Sequence, residues 1–133
     1  MDDLYREVII EHHKYPHNAG VLENPHISHE EFNPLCGDRV RIDMYVESDI
    51  ITDIRFQGRG CAISQASASM LTDEIKGKSL DEAKTFGKDE LLDLIGIPLE
   101  HNPVRIKCAL LSLKTLKVGI YTYIGEHLDD EEL

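Results

Sequence analysis

The sequence predicts an α+β domain in which a small antiparallel β-sheet, of about three strands, packs against helices. Two patterns carry that reading. Between Val40 and Gln57 apolar residues alternate with polar ones, the period of a strand with one buried face; from Ile63 onward they recur at the three-and-four spacing of helices. The strands precede most of the helices instead of interleaving with them, which argues against a parallel α/β sheet. At 133 residues the chain fits one domain spanning 1–133, long enough to bury a core without disulfides.

Taken in order, Leu4, Val8 and Ile9 lie at helical spacing behind Asp3, a residue suited to N-capping. They predict a helix from about Leu4 to His13 that Pro16 terminates. The stretch from Tyr15 to Pro34 carries Pro16, Asn18, Gly20, Asn24 and Pro25. It reads as an extended surface connection with at most a short strand near Glu31 and Phe32. Val40, Ile42, Met44 and Val46 then face one side of a strand, opposite Arg39, Arg41, Asp43 and Tyr45. Glu47-Ser48-Asp49 supplies a turn, and a second strand returns from Ile50 to Gln57 with Thr52, Ile54 and Phe56 on one face. The two form a hairpin.

The next helix, over Ile63 to Lys76 and ended by Gly77, carries Ser64, Ala66, Ser67, Ala68 and Ser69. So little bulk suits close backbone packing against the sheet more than a catalytic use of the serines. Ser79-Leu80-Asp81-Glu82 has the form of a capping box opening a short helix, and Asp89 to Ile95 predicts another. Asn102 and Pro103 open a last helix, which Val104, Ile106, Leu110, Leu111, Leu113 and Leu116 carry to about Val118. Tyr121 to Gly125 fits neither period, and an acidic tail near 126–133 is expected to fray.

Charge narrows the partners. Lys and Arg number 14 against 25 Asp and Glu, for a formal net charge of -11. That balance opposes binding to nucleic acid or to an anionic membrane surface and suits a basic protein partner. The apolar runs are too short for a membrane span and the N-terminus lacks the pattern of a signal peptide, so the expected location is cytoplasmic.

Cys36, Cys61 and Cys108 are odd in number and widely spread, which argues against a disulfide framework and leaves free thiols, metal ligands or a nucleophile. Cys36 precedes a predicted strand, Cys61 a helix, and Cys108 lies in the first turns of another. A helix N-terminus favours the thiolate. Any one of them alone reads as an inert buried cysteine. Together they gain weight, because Gly37, Gly58 and Gly60 leave room for something to approach the backbone closely. Cys36 and Asp38 also stand two positions apart, so both side chains can reach one metal.

Three motifs make the pattern specific: Asn33-Pro34-Leu35-Cys36-Gly37-Asp38, Gly60-Cys61-Ala62-Ile63-Ser64 with Ala66-Ser67-Ala68-Ser69-Met70, and Arg105-Ile106-Lys107-Cys108-Ala109. In type and order they resemble the cysteine motifs of the U-type iron-sulfur cluster scaffolds, the IscU/SufU/NifU family. Tyr15-Pro16-His17-Asn18-Ala19-Gly20 is similar to a Pro-Arg-Asn-x-Gly segment of the same family, so the resemblance runs to about Val118. It implies a transient 2Fe-2S cluster or a Zn²⁺ ion on Cys36, Asp38, Cys61 and Cys108. Thiolates suit either occupant, and a carboxylate is the weaker corner for iron-sulfur chemistry, which favours release. Such a site carries net negative charge, and Arg39, Arg59, Arg105 and Lys107 are the candidate cations beside it.

The two branches of the family leave different marks. Where IscU scaffolds generally have His before the third cysteine, this chain has Lys107, as in SufU. The spacing from Cys61 to Cys108 is instead close to the shorter IscU arrangement. His101-Asn102-Pro103-Val104-Arg105 replaces the Leu-Pro-Pro-Val-Lys segment, which counts against an Hsp70-type chaperone as partner.

The resemblance therefore implies an assembly scaffold more than an enzyme, one that takes sulfur from a cysteine desulfurase and passes a cluster to apo iron-sulfur proteins, with Cys108 as the sulfur acceptor. The alternative is a zinc-dependent sulfurtransferase of the SufU type, with Cys36 as acceptor. A structural zinc module that binds proteins is a third reading, disfavoured because the chain has no Cys-x₂-Cys knuckle.

Overall fold

The computed structural model describes residues 2–35, 37–96 and 103–125, and in the first helix the side chains from Glu7 on. The elements run α1 (Asp2–Lys14), β1 (Ile27–Asn33), β2 (Asp38–Glu47), β3 (Ile50–Arg59), α2 (Ala62–Ile75), α3 (Leu80–Thr85), α4 (Lys88–Ile95) and α5 (Pro103–Ile124). The three strands form one antiparallel sheet in the order β1-β2-β3, so the α+β architecture is as the sequence predicts. Helix α1 starts at Asp2, which puts Asp3 inside it and not at its cap. Asn102 and the acidic tail lie outside the described residues.

The hairpin forms as expected, with one local difference. Tyr45 pairs with Asp53 and Val46 with Ile51, so Thr52 is an extra residue in β3. The bulge turns Ile51 fully into the core and Thr52 out to solvent, reversing the face that simple alternation assigns to Thr52.

Strand β1 is longer than the sequence suggests. Its seven residues pair with β2 throughout, from Ile27 opposite Met44 to Asn33 opposite Asp38. A polar composition hides it, because an edge strand needs only a few inward apolar positions and gains from charge on its free side. Ser28, Glu30 and Phe32 face solvent, while inward-leaning Glu31 bonds His29 and receives Lys114 of α5 at 3.6 Å.

Helices α2 and α5 pack on the sheet and on each other, and α1 packs on α2. Val40, Ile42 and Met44 of β2, Ile54 and Phe56 of β3, Leu71 and Ile75 of α2, and Leu113, Leu116 and Ile120 of α5 form the centre of the core. The small residues of α2 pack closely, with Ala66, Ser67 and Ala68 having no exposed surface. The bonds made by Ser67 and Ser69 run to α5, to α1 and to the segment after α1, whereas the sequence predicts packing against the sheet. Ser67 Oγ donates to the carbonyl of Ala109 at 2.5 Å, a direct tie between α2 and α5.

Helix α5 continues to Ile124, beyond the end expected near Val118. Gly119 weakens the local signal. A Cβ at that position would lie 3.1 Å from Ile27 Cγ2 and 3.3 Å from His29 Cβ, so the missing side chain is what lets α5 cross β1. Buried Ile120 and Tyr121 then extend the apolar face. The capping box forms as predicted, with Glu82 N–H donating to Ser79 Oγ at 3.1 Å and Ser79 N–H to Glu82 Oε1 at 3.3 Å.

The stretch after α1 is tied down by its polar residues. His17 N–H donates to Ser69 Oγ at 2.8 Å, Asn18 Nδ2 to Asp73 Oδ1 at 2.9 Å, and Gly20 N–H to the carbonyl of Phe56 at 2.9 Å. The Tyr15–Gly20 motif thereby fastens the chain to α2 and the edge of β3.

Candidate metal centre

Asp38 opens β2, Cys61 is the N-cap of α2, and Cys108 lies in the second turn of α5. The end of β3 runs directly into α2, and the Ser67–Ala109 bond holds α5 alongside, so these three starts meet at one end of the fold. One carboxylate oxygen of Asp38 and the sulfurs of Cys61 and Cys108 lie within 4.8 Å of one another. Among the described residues this is the group of His, Cys, Asp and Glu side chains placed to hold a metal ion. Cys36 lies outside the described residues.

The three groups differ in exposure. Asp38 is 1% and Cys108 3% exposed, whereas Cys61 faces solvent. Asp38 Oδ1 accepts the Cys61 backbone N–H at 3.1 Å, and the Cys61 thiol points at Asp38 Oδ2 across 3.4 Å. Partial desolvation among its neighbours pushes the Cys61 thiol up from its ordinary value, although the residue reaches the surface; the Ser64 amide in the first turn of α2 works against this, and the Asp38 carboxylate adds to the rise. A bound cation reverses that balance, since positive charge between sulfur and carboxylate favours both ionised forms.

The donors fit zinc or an iron-sulfur cluster. The two sulfurs are the soft ligands both take, and the harder carboxylate oxygen is a ligand zinc also accepts. A tetrahedral zinc with Zn–S of about 2.3 Å sets ligand atoms about 3.8 Å apart, so the observed spread needs only a modest closure.

The candidate cations are placed differently from one another. Arg39 lies across β2 from Asp38 by strand alternation, pairs with Glu30 at 3.6 Å and stacks 5.6 Å from the centre of the Phe32 ring. Arg59 stands opposite Arg39 in the β2–β3 register. Arg105 and Lys107 are exposed at the start of α5. Lys107 also lines a cleft of about 490 Å³ between the end of β1 and α5, with Phe32, Leu35, Leu110 and Lys114. Of the histidines, His12 bonds Ser69 Oγ at 2.7 Å and His26 accepts the Val46 N–H at 3.0 Å, and neither belongs to the Asp38, Cys61 and Cys108 group.

Sequence reasoning saw that Gly58 and Gly60 make room, but not for what. Gly60 makes room for Asp38: a Cβ built on it falls 2.0 Å from Asp38 Oδ1. The paired signal was an acidic residue opening one strand and a glycine closing its neighbour.

The chain is similar to several known proteins over most of its length. The zinc-dependent sulfurtransferase SufU of Bacillus subtilis is 44% identical over 135 residues, covering 90% of this chain and 91% of that protein. The iron-sulfur cluster assembly scaffold protein IscU of Streptococcus pyogenes is 34% identical, covering 100% and 93%. The crystal structure of a putative iron-sulfur cluster assembly scaffold protein for the SUF system from Fervidobacterium islandicum superposes with a TM-score of 0.73 at 31% identity, covering 86% and 94%. The N-terminal part of a nitrogen-fixing NifU-like protein from Brucella abortus superposes at 0.81 over 95% and 98%, and at 20% identity it speaks for the fold alone. The profile of the NifU-like N-terminal domain matches residues 4–130, and the chain belongs to that family.

Proposed function

We propose that this chain is an iron-sulfur cluster assembly scaffold. It accepts sulfur from a cysteine desulfurase, assembles a transient 2Fe-2S cluster on Cys36, Asp38, Cys61 and Cys108, and passes it to apo-proteins. The observation that carries the reading is the convergence of one buried carboxylate and two thiols, from three separate elements, within 4.8 Å. In the sulfur step a cysteine thiolate attacks the outer sulfur of the desulfurase persulfide. The S–S bond breaks, the desulfurase thiolate leaves, and the scaffold cysteine carries the new persulfide. Cys108 is the acceptor in this reading, and because it is buried the partner must uncover it.

The test is anaerobic incubation with desulfurase, cysteine and ferrous iron. Visible cluster absorbance that is lost on replacing Cys61 or Cys108 by Ser is the expected result. A colourless product under the same conditions counts against a scaffold.

The 44% identity to a zinc-dependent sulfurtransferase, together with Lys107 before Cys108, favours a second reading. Here zinc is held by the same four residues and Cys36 accepts the sulfur. Zinc, when bound, keeps its thiols ionised at neutral pH. Asp38 and Cys108, both buried, would hold their side of the site while the exposed face receives the desulfurase. Stimulation of desulfurase turnover by the zinc form and not by the metal-free form supports this reading, and equal stimulation removes it. Mass analysis of the Cys36→Ser and Cys108→Ser variants after turnover identifies the cysteine that carries the persulfide.

A further inference from the structure

We infer that Gly60 is a positioning residue for the metal centre, its bare Cα forming the notch that holds the Asp38 carboxylate against Cys61. The effect on metal rests on the reading of Asp38 as a ligand; the placement of the carboxylate rests on geometry alone.

The register of the hairpin creates the notch. Arg39 pairs with Arg59, so one step further along the antiparallel ladder Asp38 and Gly60 come side by side. A Cβ built on Gly60 lies 2.0 Å from Asp38 Oδ1, 2.4 Å from Cγ and 2.9 Å from Cβ. Any side chain at position 60 must therefore expel the carboxylate from where it now sits. Asp38 is 1% exposed, so little free space is open to it. Both of its oxygens are engaged by Cys61, one with the backbone N–H at 3.1 Å and one with the sulfur at 3.4 Å. Displacement would break both contacts together. Gly60 also sits at φ +147, a backbone angle that L side chains rarely adopt, and the test has to separate that strain from the notch.

Gly58, two residues earlier, supplies the internal comparison. A Cβ there would lie 2.7 Å from the amide atoms of Gln65, the far end of a flexible side chain, and its three nearest atoms all belong to Gln65.

The experiment measures two quantities on the full chain: the zinc dissociation constant by competition with a chromophoric chelator, and the Cys61 amide proton shift by NMR in the metal-free form. The variants are Gly60→Ala, Asp38→Ala, the double variant and Gly58→Ala. Gly60→Ala is expected to weaken zinc binding about tenfold, as Asp38→Ala does, the size typical when a group supporting a metal site is lost. The double variant is expected to bind no more weakly than Asp38→Ala alone. The amide resonance should move the same way in Gly60→Ala, Asp38→Ala and the double variant, and stay put in Gly58→Ala. Parental affinity and an unmoved amide in Gly60→Ala overturn the inference. So do losses that multiply in the double variant, since they assign the effect to backbone strain. If both single variants move the amide alike but leave zinc affinity unchanged, the ligand reading of Asp38 fails while the positioning by Gly60 stands. Should Gly60→Ala not fold, Asp38→Glu probes the notch from the other side. The longer carboxylate overfills it and is expected to move the Cys61 amide and to weaken zinc binding by a similar factor; an unmoved amide overturns the inference, and a moved amide with unchanged affinity removes only the ligand reading of Asp38.

Discussion

The Asp38 carboxylate accepts the Cys61 amide proton at 3.1 Å through one oxygen and faces the Cys61 sulfur at 3.4 Å with the other. One short side chain thus fixes both the start of α2 and the direction of a thiol. Asp38→Asn keeps one acceptor oxygen but loses the charge that strengthens the bond. The expected cost is about 1–2 kcal/mol in the metal-free chain, read from urea unfolding. Zinc affinity is expected to fall at least about tenfold. An Asn variant that binds zinc as tightly as the parent removes Asp38 from the ligand set.

Removing bound metal is expected to lower stability without unfolding the chain. The core around Ile42, Leu71, Leu113 and Leu116 is built from the apolar faces of the sheet and helices themselves. Mass action adds about 2.7 kcal/mol when free metal stands a hundredfold above its dissociation constant. Thermal unfolding with and without chelator should therefore show a shifted but still cooperative transition. Outright loss of structure on chelation points to the structural zinc module instead.

Ser67 joins the two helices that carry Cys61 and Cys108. Ser67→Ala gives up its bond to the Ala109 carbonyl and is expected to cost about 1 kcal/mol. Ser67→Leu overfills a position with no exposed surface and is expected to cost about 1–3 kcal/mol, with a parallel loss of zinc affinity as α2 and α5 are forced apart. Denaturant midpoints and chelator competition on both variants check this. Equal zinc affinity in Ser67→Leu and the parent would show that the helix spacing does not govern the site.

His12 gives the fold a pH dependence of definite sign. Burial lowers its pKa from 6.5, and the His17 ring 4.5 Å away lowers it further, against the opposing pull of Asp73 and Glu11. The unfolded chain then takes up this proton at a higher pH than the folded chain. The stability contributed above pH 6.5 is accordingly lost as pH falls from there through the folded value. Urea midpoints taken from about pH 7.5 to 5.5 should decline, and His12→Gln should flatten that part of the decline. An unchanged slope in the variant assigns the decline to other groups.

What the sequence made legible was whatever has a local cause. The hairpin follows from alternation at Val40 to Val46, the capping box from Ser79 and Glu82, and the close packing of α2 from its alanines and serines. What it hid has causes elsewhere in the fold. Strand β1 is polar because it is an edge, Thr52 faces out because of a bulge across from Tyr45 and Val46, and α5 outruns Val118 because Gly119 is needed against Ile27. The site divides the same way. Its motifs could be read from residue types, but the pairing of Asp38 with Gly60 needs the register of two strands.

The charged edge of the sheet has a consequence for the life of such a protein in a crowded solution. With exposed Glu30 paired to Arg39 across the solvent face of β1 and β2, β1 is polar and charged, a poor template for a stray strand. A chain whose proposed task is to meet one partner, load, and meet another must remain unattached between encounters. The polar composition that hides β1 from simple alternation thus also disfavours edge-to-edge pairing between copies of the chain.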